Sequence, residues 1–342
     1  MLNNIMLVIM VISGVVLIAD FIFLAKRRSE KKKYIPLCEV ALILSALVYF
    51  ISVYNFEFVL TFAVIISGIV WLLDKLFFAK LREARHQKIL VANNGKLSIT
   101  QKEFLTSEPL LVDYAKSFFG VLLLVLILRS LIFEPFRIPS GSLEPTLVPG
   151  DFILVNKFSY GLRLPVVNKT IVPIGKPRRG DIVVFHWPVN PNVDFIKRAV
   201  AIPGDKVSYI DKVFYINGDE AEQTLQKDFQ YALENGQEVP AQQYEENLLG
   251  VKHGMYRIPS RPGEDFEDLE VPAGMYLMVG DNRDDSDDSR FWGFVREDQI
   301  VGKPIWVLFS WKQHGFGIDW NRVGIPVQAK REKQVEQVEH EE

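Results

Sequence analysis

Four long apolar runs lie in the first 133 residues of this chain, and no other feature restricts its fold as much. Residues 5–24 form about 20 nearly unbroken apolar positions, the length that crosses a ~30 Å hydrocarbon core. Further runs cover 37–54, 58–73 and 118–133. The last contains Arg129, close enough to one end to snorkel to the interface. A cleaved signal peptide fits the first run poorly. No Lys or Arg precedes it, and Lys26, Arg27, Arg28, Lys31, Lys32 and Lys33 all follow it. Positive charge faces the cytoplasm. The cluster after the first run and a loop over 74–116, with eight Lys/Arg against five acids, both obey that rule if all four runs cross. The N-terminus, the turn at Asn55 and everything from 134 onward then lie outside. Two spans, with the middle runs as a buried hairpin, is the alternative, and it leaves much apolar surface unexplained.

Composition matters here mainly for what it removes. Apolar residues make up 49% of the chain, but they crowd its N-terminal part, and from Glu134 the composition is that of a soluble domain. A net charge of −3, with no basic stripe, gives no reason to expect nucleic acid. Cys38 is the single cysteine, so no intramolecular disulfide, zinc cluster or cysteine redox pair is available. His86, His186, His253, His314 and His340 are scattered without helical metal-ligand spacing. No metal or other cofactor is expected.

The outer half reads as strands. Residues 152–155, 182–185 and 195–202 read as strands punctuated by Gly150-Asp151, Gly180-Asp181 and Gly204-Asp205. Residues 206–270 turn polar and Gln/Glu-rich, which suggests an inserted, less regular lobe; strand pattern returns at 275–279 and 305–309. The fold class expected is N-terminal transmembrane helices followed by a mainly antiparallel β domain over 134–205 and 271–327. A charged tail, 328–342, has little to bury.

Within that domain, Pro139-Ser140-Gly141-Ser142-Leu143-Glu144-Pro145-Thr146-Leu147 follows the last apolar run. Ser-Gly-Ser before Pro reads as a turn by itself. A serine there becomes a nucleophile only with a base in reach, and no histidine lies nearby in sequence. Lys197 is the other base on offer. Along Asp194–Ile202 side chains alternate faces, which puts Lys197 with Phe195, Ala199 and Ala201 and sends Arg198 the other way with Ile196 and Val200. A cation among small apolar neighbours is desolvated, and desolvation favours the neutral amine. The blander reading is a strand lysine that snorkels. A third cluster, Gly280-Asp281-Asn282-Arg283-Asp284-Asp285-Ser286-Asp287-Asp288-Ser289-Arg290, has the acidity of a calcium loop without the EF-hand placement of Gly and Glu. Its alternating Asp and Arg suggest internal ion pairs in a rigid loop.

These stretches together resemble the type I signal peptidase (leader peptidase) family, membrane-anchored Ser–Lys proteases. The resemblance covers about 134–205 and 271–310, with motifs at Pro139–Leu147, Gly180–Phe185, Lys197–Asp205 and Gly280–Arg290. It implies Ser142 as nucleophile, Lys197 as general base, and an oxyanion hole from the Ser142 N–H and the Ser140 hydroxyl. Ser286 would orient the lysine amine, and Gly280 would leave room for it. Asp288 and Arg290 would form a structural ion pair, with Asp281 and Arg283 supporting the same loop. Shallow pockets for small side chains would draw on Phe136, Ile138, Pro139, Ser140, Leu143, Leu147, Phe195 and Ile196. The implied substrates are preproteins cut after Ala-X-Ala-type sites, without a cofactor. The implied setting is a bacterial inner membrane, multi-pass, with the catalytic domain on the periplasmic side. The lipid bilayer is then a partner, nucleic acid is not, and the secretion machinery stays open as a further one.

Ser142 lies nine positions after Phe133, so at ~3.4 Å per residue it works within about 30 Å of the span's end. Trp306, Trp311 and Trp320 offer interfacial anchors, with core packing as the alternative. Leu143 stands where the family usually has Met, and Ala201 where it usually has Gly. The cysteine pair of some relatives is missing from 206–270. Two rivals remain at this stage, a self-cleaving Ser–Lys protease and a tethered β domain that binds exported chains without cutting them. Four apolar runs in place of a DNA-binding head count against the first, and intact Ser142 and Lys197 against the second.

Overall fold

The computed structural model describes residues 56–92, 108–164, 170–233, 235–312, 317–329 and 331, with isolated positions at 9, 11–13, 41, 45, 48 and 49. The chain divides into two compact units, Met1–Leu128 with Pro165–Val167, and Arg129–Leu164 with Asn168–Glu342. The expected spans 5–24 and 37–54, the turn at Asn55 and Cys38 fall almost wholly outside the described residues.

The first unit contains helices α1 (Phe56–Leu73), α2 (Ala79–Ala92) and α3 (Leu110–Ile127). A π-helical stretch, Asp74–Phe78, joins α1 to α2, and another, Leu128–Ile132, follows α3. Phe56–Ala92 and Val112–Ile132 are long and apolar enough to cross a membrane. Leu60 and Val64 of α1 pack on Leu126, Phe119, Leu122 and Leu123 of α3. Gly68 permits this approach, since a Cβ there would meet the Phe119 ring at 2.9 Å. Two expectations need correction. The segment 74–116 is helical to Ala92 and again from Leu110, because a helix pairs its own backbone and can run on past the apolar stretch. Arg82 helps by chelating Asp74 two turns back, at 2.5 and 2.8 Å. The last run also ends early: Phe133 belongs to a strand.

The second unit is built on a seven-stranded antiparallel sheet. Its strands are β1 (Phe133–Arg137), β2 (Asp151–Asn156), β5 (Ile182–His186), β6 (Asp194–Ala201), β14 (Met275–Val279), β15 (Val295–Arg296) and β16 (Ile300–Ser310), in the order β1-β2-β16-β5-β6-β14-β15. Two short strands, β3 (Leu162–Arg163) and β4 (Thr170–Val172), pair separately. Pro135 is tolerated because β1 is an edge strand. Pro304 is tolerated because the β16–β2 register shifts beside it. β5 is buried on both faces. Ile182 and Val184 enter a cluster with Ile138, Leu143, Leu147, Ile153 and Val155, while Val183 and Phe185 enter another with Tyr160, Ala199, Tyr276 and Met278.

Residues 206–270 depart from the irregular segment expected. They form β7 (Lys206–Ile210), β8 (Val213–Ile216), β9 (Asp219–Glu220) and β13 (Phe266–Glu270) in one sheet, and β10 (Gln223–Ala232), β11 (Glu238–Asn247) and β12 (Lys252–Arg257) in another. Alternation survives inside the polar composition. Val207, Tyr209, Phe214 and Ile216 are fully buried, and they share one cluster with Val200, Ala201, Leu277 and Val279 of the large sheet. The tail also starts later than expected. Gln328 bonds both ways to the Ile182 backbone at 3.0 Å, and Arg331 reaches Asp181 at 2.6 Å. Residues 332–342 lie outside the described residues.

Candidate active site

The loop between β1 and β2 carries Ser142 at a tight turn. The Glu144 N–H donates to Gly141 O at 3.0 Å and the Leu147 N–H to Leu143 O at 3.0 Å. Leu143 and Leu147, 1% and 0% exposed, anchor the turn in the core. Ser142 itself is half-buried, with its hydroxyl 3.5 Å from that of Ser140. From the far side, the backbone N–H of Asn282 donates to Ser142 O at 3.1 Å.

Lys197 enters from β6, paired with Val183 of β5, and is 4% exposed. Burial pushes its amine down to about 8, against the opposing pull of Asp288 and Asp287. Its Nζ donates to Ser286 Oγ at 3.0 Å, and Ser286 donates to Asp288 Oδ2 at 2.7 Å. Burial opposes charge on Asp288, yet the Arg290 guanidinium and the Gly280 N–H hold its carboxyl below the usual range. Ser286 is thereby oriented with its lone pairs toward the lysine. Gly280 leaves space at this junction: a Cβ there would lie 2.5 Å from Ser142 O and 2.6 Å from Ser286 Cβ.

Ser140, Ser142, Lys197 and Ser286 line one cleft of about 770 Å³, together with Pro139, Phe195 and Ile196. Phe195 stacks on Trp187 at 4.9 Å and places its ring 5.8 Å from Lys197 Nζ. Ile138, Leu143 and Leu147 need correction as pocket walls. They are buried beneath the loop, and Phe136 packs half-buried on the same cluster. Strict face alternation along β6 also fails, because Val200 and Ala201 fall into one cluster where β14 pairs with β6 through a bulge.

The acidic loop holds one internal pair, Asp288 with Arg290 at 2.8 Å. Asp281 and Arg283 instead reach outward. Asp281 takes a bidentate bond from Arg198, both contacts 2.7 Å, and accepts the Thr146 hydroxyl at 2.5 Å. Arg283 pairs with Glu246 of β11. His253 lies 3.1 Å from Glu246, off the line of a hydrogen bond, and 3.6 Å from Asp281. Glu246 was missed because a Glu among the Gln and Glu of 241–247 carries no local signal. Arg198 was visible only as a residue facing away from Lys197.

A cleft holding hydroxyls beside a buried, readily neutralised amine can carry acyl transfer by a serine, the chemistry of one class of endopeptidases. Residues 111–309 match the family model described as Signal peptidase, peptidase S26, and the chain belongs to that family. The signal peptidase I of Pseudomonas fluorescens is 44% identical over 291 residues, covering 79% of this chain and 98% of its own. That of Pseudomonas aeruginosa is 43% identical over 286 residues, with coverage of 79% and 98%. A solved signal peptidase I from Enterococcus faecalis is 30% identical, covers 38% of this chain and 97% of its own, and has a TM-score of 0.26.

Proposed function

We propose that this chain removes N-terminal signal peptides from exported preproteins with Ser142 as nucleophile and Lys197 as general base. The observation that carries the reading is the buried Lys197 amine, bonded to Ser286 in the cleft that Ser142 lines. A neutral amine has two N–H bonds and one lone pair. With one N–H given to Ser286, the lone pair is free to take the Ser142 proton and return it to the leaving amine. Ser140 Oγ and the Ser142 N–H would hold the developing oxyanion. Pro139, Phe195 and Ile196 would contact the small side chains before the scissile bond, with the peptide extended along a strand edge. The catalytic unit would take 134–205 with 271–327, and 206–270 would be built onto it. Charge asymmetry supports a multi-pass anchor with this unit outside the cytoplasm. Trp306, Trp311 and Trp320, all exposed, would meet the lipid interface.

Detergent-solubilised protein should cleave a preprotein after Ala-X-Ala, and Ser142→Ala should not; an active Ser142→Ala sinks the nucleophile assignment. pH supplies a second expectation. The amine works only when neutral, so kcat/KM rises with pH through about 8. A profile still climbing at pH 10 would mean that Lys197 is not desolvated in the working enzyme.

A further inference from the structure

We propose that Asn282, braced by Tyr231 of β10, is a positioning residue that fixes both peptide planes of Ser142 and so aims the N–H that receives the oxyanion. This rests on the reading of Ser142 as nucleophile. Asn282 is fully buried. Its side-chain Nδ2 donates to Gly141 O at 3.2 Å and to the Tyr231 hydroxyl at 2.9 Å, which uses both of its hydrogens. Its backbone N–H donates to Ser142 O.

Gly141 O and the Ser142 N–H belong to one planar peptide and point in opposite directions when that peptide is trans. Holding the oxygen therefore sets the direction of the hydrogen. Ser142 O belongs to the next peptide, so one residue grips the planes on both sides of the Ser142 Cα. With both planes held, the φ and ψ of Ser142 are fixed, and with them the direction of its Cβ. A hydrogen bond to Gly141 O also polarises the shared peptide and strengthens its N–H as a donor. This amide orientation suits Gly141, because reversing it would set Asn282 Oδ1 against the Gly141 carbonyl, two acceptors face to face; Oδ1 itself has no hydrogen-bond partner among the described residues.

Tyr231 completes the clamp from outside the catalytic sheet. Its hydroxyl accepts from Asn282 and donates to Asp285 Oδ2 at 3.4 Å. It also presses on the turn, since a Cβ on Gly141 would meet that hydroxyl at 2.8 Å. The β10–β11 hairpin thereby acquires a role in the chemistry. The Glu144 N–H remains as a second donor to Gly141 O, so losing the clamp loosens the turn without abolishing it.

The test is steady-state cleavage of a preprotein by the full chain in detergent, with Asn282→Ala and Tyr231→Phe. Asn282→Ala should lower kcat by about 100-fold and Tyr231→Phe by about tenfold, with KM within about threefold. The apparent pKa near 8 should stay in place, since neither residue touches Lys197. Affinity for a peptide aldehyde, which forms a tetrahedral adduct, should fall in parallel with kcat/KM, while affinity for an uncleavable peptide of the same sequence holds. Tyr231→Phe removes one oxygen only and carries the test if Asn282→Ala does not fold. Retention of more than half of kcat by Tyr231→Phe, or losses confined to KM, overturns the clamp. Ser142→Ala separates the two failures. If it is inactive while the clamp variants work normally, only the clamp falls; if it is active, the nucleophile reading falls first.

Discussion

Lys197→Ala and Lys197→Met should lose preprotein cleavage by about 10⁴-fold or more, and the Met variant should melt higher than the parent protein. The first result follows if Lys197 accepts the Ser142 proton, as proposed. The second follows from what the lysine costs. Its buried amine titrates near 8, below the value of 10.5 for a free side chain. The folded state therefore binds fewer protons than the unfolded chain between those two values. As pH falls through that window stability is lost, and below it the cost stays constant at about 3 kcal/mol, from 1.36 kcal/mol per unit. Methionine fills a similar volume without a charge to desolvate. The gain in thermal midpoint should be large at pH 7 and fall to roughly a quarter of that at pH 10. Cleavage by Lys197→Ala within about tenfold of the parent would exclude Lys197 as base. Equal melting shifts at both pH values would mean that the amine is solvated.

The parts of the candidate site that could be read in advance are those whose chemistry is local. Local pattern marks Ser142 as a turn serine and Lys197 as a strand cation among apolar neighbours, and their proposed roles come from the family resemblance that joins the two stretches. Asn282 could not be read. It acts on Ser142 through backbone atoms 140 positions away, and nothing in an Asp/Asn/Arg run shows which member turns inward. The same limit explains Ile138, Leu143 and Leu147. Apolar residues beside a nucleophile suit a pocket wall or a core anchor equally, and only the packed loop decides between them. Asp281 and Arg283 are expected to support their own loop through internal ion pairs. Each in fact answers a charge brought in by another strand, Arg198 from β6 and Glu246 from β11.

Hydropathy behaves similarly at the level of elements. It found the apolar stretches of α1 and α3 but not their ends, because a helix stops when its backbone bonds stop, not when its side chains turn polar. It misjudged 206–270 because Gln and Glu on exposed faces outweigh the alternation of Val207, Tyr209, Phe214 and Ile216 on the buried ones.

The buried ion pair between Arg198 and Asp281 carries the second large effect. Their side chains are 0% and 1% exposed and joined by two contacts of 2.7 Å. Arg198 also donates to Gly180 O at 2.7 Å. Burial opposes the charge on Asp281, but Arg198 and His253 hold its carboxyl below the usual range. Asp281→Ala would strand a guanidinium with no water to receive it, at a cost of about 3–5 kcal/mol. Activity should fall with stability. Arg198 adjoins Lys197 on β6, and Asp281 binds Thr146 in the β1–β2 loop that carries Ser142 and precedes Asn282, so the pair ties β6 to that loop. Replacing both charges, as in Arg198→Met with Asp281→Leu, should recover much of the stability, because two neutral side chains leave no stranded charge. It should recover little activity, because the Thr146 hydroxyl loses its acceptor. Urea unfolding and preprotein cleavage measured on the same three proteins separate the two effects. A loss below about 1 kcal/mol for Asp281→Ala would show that water reaches Arg198 and that the pair does not hold the site together.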